Sequence, residues 1–562
     1  MKRNVRQNSI LQLSLGAVVI ILLNVIASFV FTRLDLTSEK RFTLSPATKE
    51  MLKGLHDVVY VKVYLEGDFP AGFKRLRNST RETLDEFRVY AGENLQYEFI
   101  DPSASKDVKE RNKLYQQIAS LGIQPTNLEV REKGGSSEKI IFPGAVLYYR
   151  NKPVAAQLLK DQAGASPEEM LNNSIQGMEY ELANAIRKVT RLEKPVMRFL
   201  IGHSEAEQVK IVDIAHTLGE NYDVDTTSVS GQLKALDNCK LIVIANPRLR
   251  FGEKDKFVLD QFVMKGGKIL WLIDMMDATM DSLVTSNVTV SLPRDLNLDD
   301  MLFKYGVRVN PNLVLDIQSA PIPIVTSYVG NQPQQRLIPW YYFPLVFPSG
   351  DHPIVRNLDA IRCEFVSSID TVEAPGVKKT VLLSTSALSR IAVSPARVSL
   401  AILEQEPDKK QFNKGPQSIA VLLEGTFSSP FTNRVPSEIA SSPEIKFKEK
   451  SVPTKMIVIS DGDMIENKIG KSSGAIYPLG YDKYTDRIYG NKSFLLNCID
   501  YLIDDSDLIS ARTKQVKLRL LDKTKLAAHK DQIGYLNVSL PIVLVIIAGV
   551  VKYYIRRKKY QT

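Results

Sequence analysis

The sequence predicts an α/β protein in which two folded domains lie between two apolar helices. Three observations carry that prediction. An uncharged apolar run lies near each end, strands and helices alternate across the middle, and the composition is ordinary for folded protein, with 44% apolar and 24% charged residues.

The first run spans residues 10–31, from Ile10 to Phe31, and holds no charged residue. As a helix it is long enough to cross a hydrocarbon layer of about 30 Å. The tail at 1–9 carries Lys2, Arg3 and Arg6, which by the positive-inside bias keeps this end in the cytoplasm. A cleaved signal has a shorter apolar core of about 7–15 residues and a small-x-small site. Here the run continues through Val25, Ile26, Phe29, Val30 and Phe31, so an uncleaved anchor is predicted. The second run spans residues 532–551 and is followed by Lys552, Arg556, Arg557, Lys558 and Lys559 in the tail at 552–562. That places the other end in the cytoplasm too, and everything between the runs on the far side.

The formal charge is +10, but three basic residues in the first tail and five in the last account for eight of it, leaving 10 − 8 = +2 between them. No basic face or stripe stands out there, which excludes a nucleic-acid partner. The tails instead suit anionic membrane lipid. Three cysteines, Cys239, Cys363 and Cys498, are too few and too scattered for a disulfide framework, and their flanks mark buried hydrophobes.

Residues 32–57 form a polar connector, with Ser45-Pro46 as N-cap and first helical position. Residues 58–192 then read as one unit. Val58–Leu65 is a strand, and Phe73, Leu76, Thr80, Leu84, Phe87 and Ala91 recur at helical spacing. Leu95–Ile100 is a strand, and Val108, Tyr115, Ile118 and Leu121 mark a helix. Asn127–Arg131 and Lys139–Tyr149 flank a Gly134-Gly135 turn, and Val154–Leu159 adds a strand. One long amphipathic helix from Leu171 to Val189 closes the unit. This order predicts a thioredoxin-like sandwich, without redox chemistry because no C-x-x-C is present.

Residues 193–510 change to regular alternation. Strands at Val196–Ile201, Tyr222–Val229, Leu241–Ala245 and Ile269–Ile273 are separated by helices around Val209–Leu218 and Phe257–Val263. That pattern predicts a doubly wound, flavodoxin-like or amidotransferase-like parallel sheet. Val381–Ser384, Ile419–Leu423 and Met456–Ser460 return to extend it, around a less regular insertion at Asp274–Asn357 and a polar loop at Ser428–Lys450. Within the insertion, Trp340, Tyr341, Tyr342 and Phe343 are expected to cover the domain's own core, with a contact surface as the alternative. A second connector at 511–531 leads to the last run.

Open α/β sheets bind ligands beyond the carboxyl ends of their strands. His203, Ser204 and Glu205 follow the first such strand, Asn246 another, Asp274 a third, and Asp461 and Asp463 a late one. Together they are a candidate crevice for a glycan or peptide, although short polar residues are also what strand-to-helix turns require. No catalytic set is expected: His203-Ser204-Glu205 are sequence neighbours, and Cys239 opens a strand while Cys498 sits within a helix, so neither occupies a nucleophile elbow. Gly470-Lys471-Ser472 lacks the glycine a phosphate loop needs five residues earlier, where Ile465 stands. The five histidines show no H-x-x-x-H spacing, so neither metal nor cofactor is expected.

Long stretches of the chain resemble the GldG family, membrane-anchored auxiliary components of the gliding-motility ABC transporters of Bacteroidota. They are EKRFTLSPATKEMLKGL at Glu39–Leu55, VYVKVYLEGDFPAGFKRL at Val59–Leu76 and IQGMEYELANAIRKVT at Ile175–Thr190. LLEGTFSSPFTNR at Leu422–Arg434, SDGDMIEN at Ser460–Asn467 and GNKSFLLNCIDYLIDDSDLISARTK at Gly490–Lys514 complete the set. One departure is IGHSE at Ile201–Glu205, where the family commonly shows G-H-G-E. The resemblance implies a two-pass inner-membrane protein with a periplasmic bulk, a separate permease and ATPase as partners, and a link to gliding, type IX secretion and envelope components. It implies a non-enzymatic scaffold or coupling subunit, with a ligand receptor as the alternative and a hydrolase of amidotransferase-like fold behind both.

Overall fold

A computed structural model describes residues 11–22, 43–504, 508, 511 and 530–560, except 133–134, 161–165, 192, 233, 349, 351, 357, 437–440, 444 and 471–472. It separates into two units, Met1–Lys514 and Gln515–Thr562.

Among its described residues the second unit holds the helix Lys530–Tyr560, with Pro541 inside it. Its 25-residue stretch Gly534–Lys558 is long and apolar enough to cross a membrane, at about 1.5 Å per residue. Near the other terminus an apolar helix covers Leu11–Leu22. The rest of the predicted first anchor, residues 10 and 23–31, lies outside the described residues, as do the tail at 1–9, residues 32–42 and 512–529 of the connectors, and residues 561–562.

In the first unit, Ser45 caps α1 (Pro46–Lys53), its hydroxyl accepting from the Thr48 amide with Pro46 in the first turn, as expected. β1 (Val59–Val63) alternates, burying Val59, Val61 and Val63 beneath a helical layer that includes α2 (Ala71–Ala91). β2 (Leu95–Phe99) pairs parallel to β1. β3 (Thr126–Glu132) and β4 (Gly135–Ile141) form a separate hairpin. β5 (Gly144–Tyr149) runs antiparallel between β1 and β6 (Lys152–Gln157), giving the order β2-β1-β5-β6. The predicted strand Lys139–Tyr149 is therefore two strands in two sheets. The single helix expected from Leu171 to Val189 is also two: α3 (Pro167–Gln176), started by a Ser166–Glu169 capping box, and α4 (Met178–Thr190). Gly177 separates them, its amide turning back to the carbonyls of Asn173 and Ile175.

The larger sheet contains β7 (Val196–Leu200), β8 (Asp223–Thr227), β9 (Leu241–Ala245), β10 (Lys268–Leu272), β11 (Val377–Ser384), β12 (Ser418–Gly425) and β13 (Thr454–Ile459), ordered β11-β12-β13-β10-β9-β7-β8. β13, β10, β9, β7 and β8 are mutually parallel; β12 and β11 are antiparallel additions. Of the three late strands, only β13 thus extends the parallel set. Continuous buried runs such as LIVIA in β9 suit strands covered on both faces. One face packs against α5 (Val212–Gly219) and α7 (Asn491–Ile503), the other against α6 (Glu253–Met264).

The insertion is not irregular. It holds two short helices, Asp281–Thr285 and Asp299–Tyr305, and antiparallel ribbons, the longest joining Ser319–Val329 to Gln332–Val346. Trp340, Tyr341, Tyr342 and Phe343 are buried in the insertion's own apolar cluster. The regularity is hidden in the sequence because partners such as Leu313 and Ala392 are far apart along the chain.

Candidate functional site

The parallel strands all end at one edge, and the turns after them carry most of the candidate residues. Asn246 directly follows β9 in the left-handed region at φ 52°, its amide donating to the Leu272 carbonyl. Asp274 follows β10 by two positions, and Asp461 follows β13 by two. Asp463 opens a short 3-10 turn.

These four residues meet. The Asn246 Nδ2 donates to Asp463 Oδ1 at 2.8 Å and to Glu466 Oε1 at 3.3 Å. Its Oδ1 accepts from Arg294 Nη1 at 2.9 Å, and the same guanidinium lies 3.7 Å from Asp274 Oδ2. Asp274 Oδ1 accepts the Gly462 amide at 2.6 Å. A side chain at Gly462 would press on both neighbours, its Cβ lying 2.7 Å from Asn246 Cγ and 2.8 Å from Asp274 Oδ2. Asp461 Oδ2 accepts the Glu364 amide at 3.0 Å, while its buried Oδ1 has no hydrogen-bond partner. Glu364 pairs with Arg362 and, at 2.7 Å, with Lys468; Glu466 pairs with Lys210 at 3.0 Å.

Burial and crowding set the ionisation. Burial pushes Asp274 well above the usual carboxylate range, Asp463 adds repulsion, and Arg294 opposes it. Burial raises Asp461 likewise, reinforced by Asp274 and Asp463. Asp463 rises to about 6 through burial and the charges of Glu364 and Glu466. Burial would raise Glu364 too, but Arg362 and Lys468 outweigh it and hold that carboxyl at about 2. The cleft these groups line, with Asp461, Asp463, Glu364, Glu466, Arg362 and Lys468 around it, measures about 20 Å³. That is room for roughly one water.

His203, Ser204 and Glu205 do not join this cluster. The His203 ring stacks on Phe251 at 3.8 Å, with Nδ1 3.2 Å from Glu205 Oε1 and Nε2 3.2 Å from Asp255 Oδ2. Burial opposes a charge on that ring, but the two carboxylates prevail and raise its pKa. Ser204 is exposed with φ 54°, a conformation glycine adopts without cost. The predicted crevice is therefore two separate groups. The residues missed were Arg294, Arg362, Glu364, Glu466 and Lys468. Glu466 and Lys468 could have been found, lying within seven residues of Asp461; Arg294 comes from the insertion, and Arg362 and Glu364 from the segment just after it.

Cys239 stands two residues before β9 rather than opening it, and burial pushes its thiol up to about 11. Burial lifts Cys363 and Cys498 well above the usual thiol range. These are not activated nucleophiles. Among the described residues no group of three or more His, Cys, Asp or Glu is placed to hold a metal ion. A cavity of about 500 Å³ lies at the opposite edge, between the amino ends of β9 and β10 and the end of α6, lined by Cys239, Lys240, Phe262, Lys265 and Lys268 among others. Buried, mutually paired carboxylates and cations converge at the carboxyl edge, and that convergence marks it as the candidate site.

Comparison with known proteins places these features. A family described as ABC-type uncharacterized transport system matches residues 194–498, and a domain of unknown function, DUF7088, matches residues 38–148. An uncharacterized protein of Borreliella burgdorferi is 21% identical over 577 residues, covering 98% of this chain and 99% of that protein. Among solved structures, the mmIFT52 N-terminal domain aligns at 15% identity and a TM-score of 0.31, over 55% of this chain and 96% of that one.

Proposed function

This chain belongs to the ABC-type uncharacterized transport system family, and on that premise we propose that it is a non-catalytic, membrane-anchored coupling subunit of an ABC transporter. In this reading a separate permease and ATPase are its partners, two spans hold both termini in the cytoplasm, and the α/β bulk faces the periplasm. The stretches shared with GldG support a role in gliding motility and type IX secretion, in which the bulk reaches envelope components. We read the smaller sheet as thioredoxin-like, supported by its β2-β1-β5-β6 order, and the parallel set as flavodoxin-like, supported by β8-β7-β9-β10-β13.

The observation that carries the coupling reading over a receptor is the filled carboxyl edge. Where a ligand of an open α/β sheet would sit, Arg294, Lys210, Arg362 and Lys468 already pair with the chain's own carboxylates around a cleft of about 20 Å³. Full-length chain expressed with its permease should co-purify with it in detergent, and a chain lacking both apolar runs should not; full retention by the latter would refute the reading. The unpartnered Asp461 Oδ1 favours the alternative, a receptor that opens the crevice for a glycan or peptide hydroxyl or amide. Thermal shift against envelope fragments tests that alternative, since ligand at 100-fold its Kd adds about 2.7 kcal/mol.

A further inference from the structure

The chain enters and leaves its first unit on one helix. At the entry, the Ser45 amide donates to Glu179 Oε1 at 2.6 Å, and Leu44 is buried in the core beneath the smaller sheet. At the exit, the chain has finished α7 of the larger domain, yet the next described buried side chain packs in the smaller one. Leu508, 1% exposed, packs into that same core, and Ala511 packs with Tyr180 and Tyr501. Glu179 and Tyr180 are neighbours in the first turn of α4, so one helical turn receives both ends of the chain.

Further along α4 a second tie faces the exit. Tyr180, Asn184 and Arg187 follow one another at i, i+4 and i+7, hence on one face. Arg187 Nη2 donates to Asn184 Oδ1 at 2.8 Å, and Nη1 lies 2.7 Å from Asp504 Oδ1. The two charged side chains are 12% and 4% exposed, so water screens the pair little. Lys188, next in α4, lies 3.9 Å from Asp500, which also accepts from the Tyr222 hydroxyl. Two cations of the smaller domain thus face two carboxylates of the larger.

We propose that α4 is a clasp: it joins the entering and leaving chain, and it opens at the Arg187–Asp504 pair while both sheets stay folded. Opening is local because Arg187 and Asp504 sit where α4 meets the end of α7, whereas each sheet strand sits in a continuous core. The clasp rests on the two-anchor reading for its use, delivering movement of either terminus to both domains, but not for its geometry.

Hydrogen exchange on the full-length chain in detergent tests it. Asp504→Asn and Arg187→Gln should each speed exchange of peptides containing Asp504, Leu508 and Ala511 by about tenfold or more, with β9 and β13 unchanged. Exchanging the charges, Arg187→Asp with Asp504→Arg, should restore protection to within about threefold. Unchanged exit peptides in both single variants would overturn the clasp, and so would equal loosening of β9 and β13, which would make the pair a general stabiliser. Failure of the unaltered chain to hold the permease overturns the coupling reading instead, and leaves the exchange result intact.

Discussion

The two edges of the larger sheet differ in kind. At the carboxyl edge, buried carboxylates are met by Arg294, Lys210, Arg362 and Lys468, and about 20 Å³ is left between several of them. At the amino edge, a cavity of about 500 Å³ is lined by Lys240, Lys265 and Lys268 together with Asp237, Asn238 and Phe262. The difference teaches that position in a fold does not make a binding site. The edge where open α/β sheets bind ligands is here occupied by the chain's own charges, whereas the roomy edge lies at the amino ends of its strands.

The strongest challenge to this contrast is Arg294→Ala. It strips the counter-charge from Asp274 and the donor from Asn246 Oδ1, and should cost about 3 kcal/mol at pH 7 in urea unfolding. The cost should shrink as pH falls, because the raised pKa of Asp274 lets it take up a proton and shed its charge. A loss below about 0.5 kcal/mol would make the carboxyl edge a loose, ligand-ready crevice after all.

Asp463→Asn sharpens the contrast through pH. Because its folded pKa of about 6 lies above the usual 3.8, Asp463 favours folding below about pH 4 and loses that contribution as pH rises through 6. The amide can still accept from Asn246, so the variant should match the parent near pH 4 and exceed it by about 1 kcal/mol at pH 7.5. A variant less stable than the parent at both pH values would show that the carboxylate is needed in its charged form.

Lys265→Ala should do least. Lys265 is exposed on the rim of the large cavity, and removing it should shift stability by less than about 0.5 kcal/mol. A loss as large as that from Arg294→Ala would erase the distinction between the edges.

Much of this architecture was legible residue by residue. Ser45-Pro46 announced α1, the alternation of VYVKV announced β1, and LIVIA announced a strand buried on both faces. Glycine misled where its role was local: Gly177 divides a pattern that reads as one helix. The site was half legible. Asn246, Asp274, Asp461 and Asp463 follow strands and converge, but nothing near His203 in sequence says that its ring stacks on Phe251, between Glu205 and Asp255. Arg294 and Glu364 stand in irregular chain just past the short strands Val288–Ser291 and Ile361–Arg362, where no local period marks them.

By itself the sequence determined the apolar C-terminal helix with its basic tail, the alternation that makes the protein α/β, and the strand ends where polar residues gather. These are local properties, set by side-chain period and composition within a few turns of chain. Only the tertiary structure decided which charges face one another, that Arg187 reaches Asp504 across 317 positions (504 − 187), and that the crevice is filled. Pairing and burial depend on neighbours brought from hundreds of residues away, and a carboxyl's ionisation follows those neighbours rather than its place in the chain.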